Sequence, residues 1–226
     1  MFRMFRLLPL TLSLVNAAPA LAETDFQQWL AVSARTNLSD SIAVQGETVA
    51  RFGDDAGGLY ELESALLLGY KLSDRVTAWA GYVHNPTYNQ GDFVIIERRA
   101  REQITVDNFA KLGTVALSAR LRLEQRWRDG LDGTGWRVRP YAKAAVPLGG
   151  KSAPVLNFTV EPFVNLNTTS FQSTTGLDRL RSAVSLTVPL SGAVKLEAGY
   201  LNQHRFVRRG EDRGDHALTA TLALSF

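Results

Sequence analysis

The chain has 226 residues, with 25 lysines and arginines against 22 acidic side chains, a net charge of +3 and no cysteine. The lack of cysteine excludes disulfides, thiolate metal sites and cysteine nucleophiles. The basic surplus falls to +1 once Arg3 and Arg6 are removed with the leader described next, too little to suggest nucleic acid as a partner.

Residues 1–22, "MFRMFRLLPLTLSLVNAAPALA", place Arg3 and Arg6 before an apolar stretch at 7–15 and close on Ala20, Leu21 and Ala22. That order of charge, apolar core and small residues is the order of a secretory signal, expected to be cleaved after Ala22. The apolar core is about half of the roughly 20 residues a spanning helix needs, and no later window approaches that length. The exported chain, residues 23–226, has the size of one domain, and no linker, low-complexity tract or charge block divides it.

What repeats along it is an extended segment followed by a turn. The segments are 26–36, 41–52, 59–71, 76–83, 93–105, 114–127, 136–146, 155–167, 177–188, 194–203 and 216–226. Most exceed the five or six residues of an ordinary globular strand and suit a tilted bilayer crossing. The connections "NLSD", "LSDR", "VDNFAKL", "PLGGKSA" and "PLSG" are compact. Those at "GDDAGG", "HNPTYNQGD", "RDGLDGTG", "NTTSFQSTTG" and "HRFVRRGEDRGD" are mostly longer and more polar. Short periplasmic turns opposite longer outer loops are the habit of outer-membrane barrels. Such single-chain barrels have an even number of strands, so eleven segments predict ten, if 26–36 is not a wall strand, or twelve.

Each segment alternates with period two. In "SIAVQGETVARF", Ile42, Val44, Gly46, Thr48, Ala50 and Phe52 oppose Gln45, Glu47 and Arg51. In "LSARLRLEQRW", Leu117, Ala119, Leu121, Leu123 and Trp127 oppose Arg120, Arg122, Glu124 and Arg126. The closing "HALTATLALSF" sets His216, Leu218, Ala220, Leu222, Leu224 and Phe226 on one face, and a terminal aromatic on such a strand is the expected assembly signal. A soluble barrel would turn its apolar face inward and a membrane barrel turns it to lipid. Signal, strand length and loop asymmetry predict the membrane arrangement. Phe52, Tyr70, Trp127, Trp136 and Tyr200 would then face outward, several near an interface. In "ERRARE" the same phase turns Arg98 and Glu102 towards lipid, which predicts a bulge or a position near a rim.

The order Trp29, "GETVAR", "ERRAREQ", "RLRLEQRW", "VRPYAKAAVPL", "VEPFVN", "LDRLRSAVSL" and a closing "GYLNQ … HALTATLALSF" resembles the Gram-negative outer-membrane barrels grouped as domain of unknown function 2490. The resemblance spans nearly the whole of residues 23–226. It implies a β-barrel and implies no activity; with the segments read above, the expected fold is all-β, a transmembrane antiparallel barrel of 10 to 12 strands.

The face opposite the lipid collects Arg51, Lys71, Arg99, Arg101, Arg120, Arg122, Arg126, Arg137, Arg139, Lys143, Arg179, Arg181 and Lys195. Against them stand Glu47, Glu61, Glu63, Glu97, Glu124, Glu161 and Glu197. The surplus predicts a positive lumen that favours small anionic or oligosaccharide solutes, by passage or binding. The alternative is a closed structural or surface-interaction barrel, filled by its own side chains. A third is a lipid hydrolase at the outer rim, but no His-x-Ser pair occurs, and only His204 and His216 with Asp212 or Asp215 could group there; His84 stands apart. No enzymatic activity, cofactor or metal is therefore expected. The expected location is the outer membrane, and the expected partners are its lipid, the barrel-assembly machinery and small anions, without nucleic acid.

Overall fold

The computed structural model describes residues 24–226 except 151 and 209; the leader expected at 1–22 lies outside the described residues. Eleven strands follow one another: β1 (Thr24–Asn37), β2 (Ile42–Gly53), β3 (Gly58–Lys71), β4 (Val76–Asn89), β5 (Asp92–Leu112), β6 (Val115–Arg128), β7 (Gly135–Pro147), β8 (Val155–Asn165), β9 (Gly176–Pro189), β10 (Val194–Arg205) and β11 (Arg213–Ser225). Each pairs with the next, and β1 closes the barrel against β11.

That closure corrects the even-number expectation. The segment expected at 26–36 is a full wall strand, β1, antiparallel to β2 and parallel to β11 from Thr24↔Gly214 to Arg35↔Ser225. A meander with an odd number of strands brings its first and last strands together running the same way. Parallel ladders bond slightly less well per residue than antiparallel ones, but a closed barrel has no free edge left to expose.

The period-two pattern lies as the sequence suggests. Phe26 and Leu218 on the outer surface are 65% and 67% exposed, while Glu97 and Glu124 inside are 2% and 0% exposed. Apolar outside and charged inside is the reverse of a soluble barrel. The interior keeps two small apolar clusters, Trp29 with Val49 and Ala217, and Ala43 with Leu67 and Trp79. Gly69 makes room for the second: a Cβ there would stand 2.6 Å from the Trp79 ring.

Two expected connections are strand instead. "HNPTYNQGD" is the tip of a β4–β5 hairpin, turned by Gln90 and Gly91 alone with φ of 52° and 85°. Two left-handed central residues give the turn whose twist matches the strands. "VDNFAKL" continues β5 through a bulge between Val106 and Ala110, with Asn108 at φ 49°. The bulge lies beyond "ERRARE", so Arg98 and Glu102 do face outward. Arg98 pairs with Asp129 just past the end of β6, and Glu102 accepts a hydrogen bond from Gln125 Nε2 at 3.3 Å.

Two rims result. The C-terminal rim carries Phe226 and the connections leaving β1, β3, β5, β7 and β9; the opposite rim carries those leaving β2, β4, β6, β8 and β10.

Candidate functional site

Neighbouring strands bring their inward residues into direct register. Arg101 stands opposite Glu124 and Arg99 opposite Arg126 across β5 and β6, Glu124 opposite Arg137 across β6 and β7, and Glu161 opposite Arg181 across β8 and β9. Glutamates placed among arginines become nodes. Glu124 accepts from Arg137 Nη2 at 2.6 Å, Arg139 Nη1 at 3.0 Å and Arg101 Nη2 at 3.2 Å. Glu97 takes Arg99, Arg126 and Arg128 at 2.6–2.7 Å. Glu63 on β3 takes Arg51 on β2 and, past β4, Arg99 and Arg101 on β5, Glu161 takes Arg120 and Arg139, and Glu61 takes Arg51. Five carboxylates so hold eight arginines. Removing charges from water is costly, and only dense pairing with hydrogen bonds offsets it.

Arginines inside and outside these pairs also lean on rings. Trp29 lies between Arg51 and Arg181, at 4.6 and 4.5 Å from its ring centre. Phe163 is surrounded by Arg137, Arg139, Arg179 and Arg181 at 4.1–5.3 Å. A guanidinium over an aromatic face gains electrostatic contact besides its ion pairs, and Arg181 has that contact without one. Arg122 donates from Nε to Gln103 Oε1 at 2.9 Å. The β8–β9 connection also enters this half of the lumen. Gln172 is buried, accepts from Arg126 Nη1 at 2.8 Å and donates to the Asn167 carbonyl at 2.8 Å, while Phe171 meets Arg126 and Arg128.

The bore is uneven as a consequence. In the half towards the opposite rim a cavity of about 70 Å³ remains, between Glu63, Glu97, Arg137, Phe163 and Arg181. At the C-terminal rim two hollows of about 490 and 470 Å³ share Asp107; Arg35, Lys71 and Phe226 line one, and Arg120, Tyr141, Lys143 and Lys195 the other.

The residues singled out from the sequence therefore fall into two groups. Arg99, Arg101, Arg120, Glu124, Arg126, Arg137, Arg139 and Glu161 join one ion-paired lattice, and Arg122, Arg179 and Arg181 lie beside it held by Gln103, Asp178 and Gln203. Lys143 and Lys195 stand apart in the C-terminal hollow. Between β6 and β7, Glu124 bridges Arg137 and Arg139. Phe226 is exposed at its rim, and its N–H donates to the Arg35 carbonyl at 3.0 Å.

The conceivable histidine site does not assemble. His204 Nε2 meets Asp212 at 2.9 Å, whereas His216 bonds Tyr200 and stacks on Phe26. Asp215 points the other way, buried in the lumen against Gln203 and Arg205. Asp212 lies in the β10–β11 connection, and the Val207 N–H, followed by His204, holds its carboxyl below the ordinary 3.8.

Sequence reasoning missed Trp29 as a lumen residue, and with it Asp25, Gln27, Phe163, Asp215 and Gln172. The first five keep the phase of inward neighbours, Phe163 two residues after Glu161, so alternation could have found them. Gln172 sits in a connection, where no period applies.

Among solved structures the chain is similar to LpxR from Salmonella typhimurium, with a TM-score of 0.49 and 9% identity over 80% of this chain and 83% of that one. It is also similar to the siderophore receptor PirA from Pseudomonas aeruginosa, with a TM-score of 0.30 and 15% identity over 79% of this chain and 33% of that one. Both likenesses are of fold alone. One expectation is withdrawn alongside the likeness to LpxR: that of no enzymatic activity. An uncharacterized protein of Methylorubrum extorquens is 32% identical over the full length of both chains. The model of a protein family of unknown function, DUF2490, matches residues 26–214, and with the closed, inside-out barrel these matches make the chain a member of the DUF2490 family.

Proposed function

We propose that the protein is an outer-membrane barrel with a closed bore, a structural or surface-interaction protein and not a pore for anions. Its opposite rim faces the outside of the cell and its C-terminal rim the periplasm. The leader at 1–22 exports it, lipid covers the apolar outer face, and the assembly machinery reads Phe226. The observation that carries the reading is Glu124: fully buried, it joins Arg101, Arg137 and Arg139 from two neighbouring strands. With Glu63, Glu97 and Glu161 it supports a lattice across the lumen where an open channel needs water.

The test is conductance. Full-length protein in planar bilayers should give no steady current. Replacing Arg120, Arg122, Arg137 and Arg139 by glutamine should lower its stability, because Glu124 and Glu161 lose partners. A steady anion-selective current from the parent, fading at high salt as screening shortens the field, would overturn the closed reading.

A second reading rests on a separate observation. Lys143 and Lys195 line the C-terminal hollow of about 470 Å³ without a carboxylate partner among the described residues, beside Tyr141, Asn157 and Thr187. That arrangement supports binding of small anionic or oligosaccharide solutes from the periplasmic side without passage.

A further inference from the structure

We propose that the cavity of about 70 Å³ beside Phe163, in the half of the lumen towards the opposite rim, is a binding site for one small inorganic oxyanion of sulfate or phosphate size, with Arg181 as its principal ligand. The proposal is independent of whether the bore conducts.

Charge is the first ground. Seven arginines and three glutamates line the cavity, and the glutamates are already engaged. Glu97 serves Arg99, Arg126 and Arg128, Glu63 serves Arg51, Arg99 and Arg101, and Glu61 serves Arg51. Glu161, opposite Arg181 in register, is taken by Arg120 and Arg139, so no carboxylate among the described residues forms an ion pair with Arg181. Its Nε donates to Gln203 Oε1 at 2.8 Å, an acceptor that Arg179 also approaches at 3.5 Å. The guanidinium is held between the Trp29 and Phe163 rings at 4.5 and 4.6 Å. Its position is thereby fixed, while its Nη atoms donate to no described residue. A partly buried cation whose one neighbouring carboxylate is already shared by two other arginines is under-compensated, and an anion in the adjoining cavity offsets it.

Size and geometry then choose the anion. One water needs about 10–15 Å³ of such space, so the cavity holds a few waters or one tetrahedral oxyanion and excludes a sugar ring or a nucleotide. Guanidinium groups present paired N–H donors that match the oxygens of an oxyanion better than a spherical halide. Arg137 and Arg179, both on the Phe163 ring, bring further donors to the same cavity.

Full-length protein refolded in detergent provides the test. Ionic strength is held constant with gluconate, whose carbon chain exceeds the cavity, and sulfate or phosphate replaces it stepwise. The temperature at which the compact, unheated gel form is lost should rise saturably in the parent, as ligand linkage requires. In Arg181→Gln it should not respond. In gluconate alone Arg181→Gln should melt no lower than the parent, because it removes a surplus cation; a merely structural arginine would make it melt lower. Equal responses in both proteins, no response in the parent, or the same rise with chloride would each overturn the assignment. Should the variant not fold, parent crystals soaked in selenate should show one anomalous peak within hydrogen-bonding reach of Arg181, and an empty cavity there would overturn it as well.

Discussion

The two halves of the lumen are both rich in charged side chains and behave differently. Towards the opposite rim, arginines alternate with Glu61, Glu63, Glu97 and Glu124, and the side chains lock into a lattice that leaves about 70 Å³. Towards the C-terminal rim, Lys71, Lys143 and Lys195 stand with Arg35, Arg120, Asp40, Asp74 and Asp107 among threonine, serine and asparagine, and hollows of about 490 and 470 Å³ remain. Residue type explains part of the difference. An arginine fork bonds two carboxylates at once and stacks on a ring, whereas a lysine ammonium is a hydrated point charge that gains less from enclosure. Where the glutamates lie explains the rest. A count of charges over the whole lumen averages the two halves and describes neither.

The largest expected effect tests the lattice. Glu124→Gln keeps the shape and removes the charge that Arg101, Arg137 and Arg139 share. Breaking a buried pair by neutralising one partner costs about 3–5 kcal/mol, so urea unfolding in vesicles should show a large drop in midpoint. A change below about 1 kcal/mol would mean that water or an anion already shields those arginines. The same substitution made on the other side should be nearly silent: Lys143→Gln with Lys195→Gln should stay within about 0.5 kcal/mol. A large loss there would erase the distinction between the halves.

The smallest effect separates the opposite rim from the lumen behind it. The Asp212 carboxyl is held below 3.8 by the Val207 N–H and by His204. A depressed carboxyl contributes its order fully above the unfolded value and loses it as pH falls through the lower folded one. Exchange of the Val207 amide should therefore stay slow at neutral pH and quicken only below about pH 4. Asp212→Asn should remove that acid step and leave the barrel's melting unchanged. Acid quickening that persists in the variant would place the step elsewhere.

Much of this was legible in the chain itself. Inward and outward faces follow from alternation alone, since a strand has only two sides, and Arg137, Arg139 and Tyr141 fall inside for the same reason that Val138 and Pro140 fall outside. Membership of a lattice was not legible, because it depends on register between strands far apart in sequence: Glu63 meets Arg101, and Arg126 meets Gln172. Nor could local pattern separate the β5 bulge at Val106 to Ala110 from a turn, as both interrupt the alternation with the same polar residues, Asp107 and Asn108. Parity misled for another reason: it is a habit of related barrels and no requirement of closure.

The parallel seam between β1 and β11 has a topological consequence. An even-stranded barrel returns both ends of its chain to one side of the membrane; here Thr24 begins at one rim and Ser225 ends at the other. In the proposed membrane placement the two ends of the barrel are therefore addresses on different compartments. A label joined ahead of β1 and another joined after Phe226 would report on opposite aqueous phases, each open to a reagent that the membrane keeps from the other.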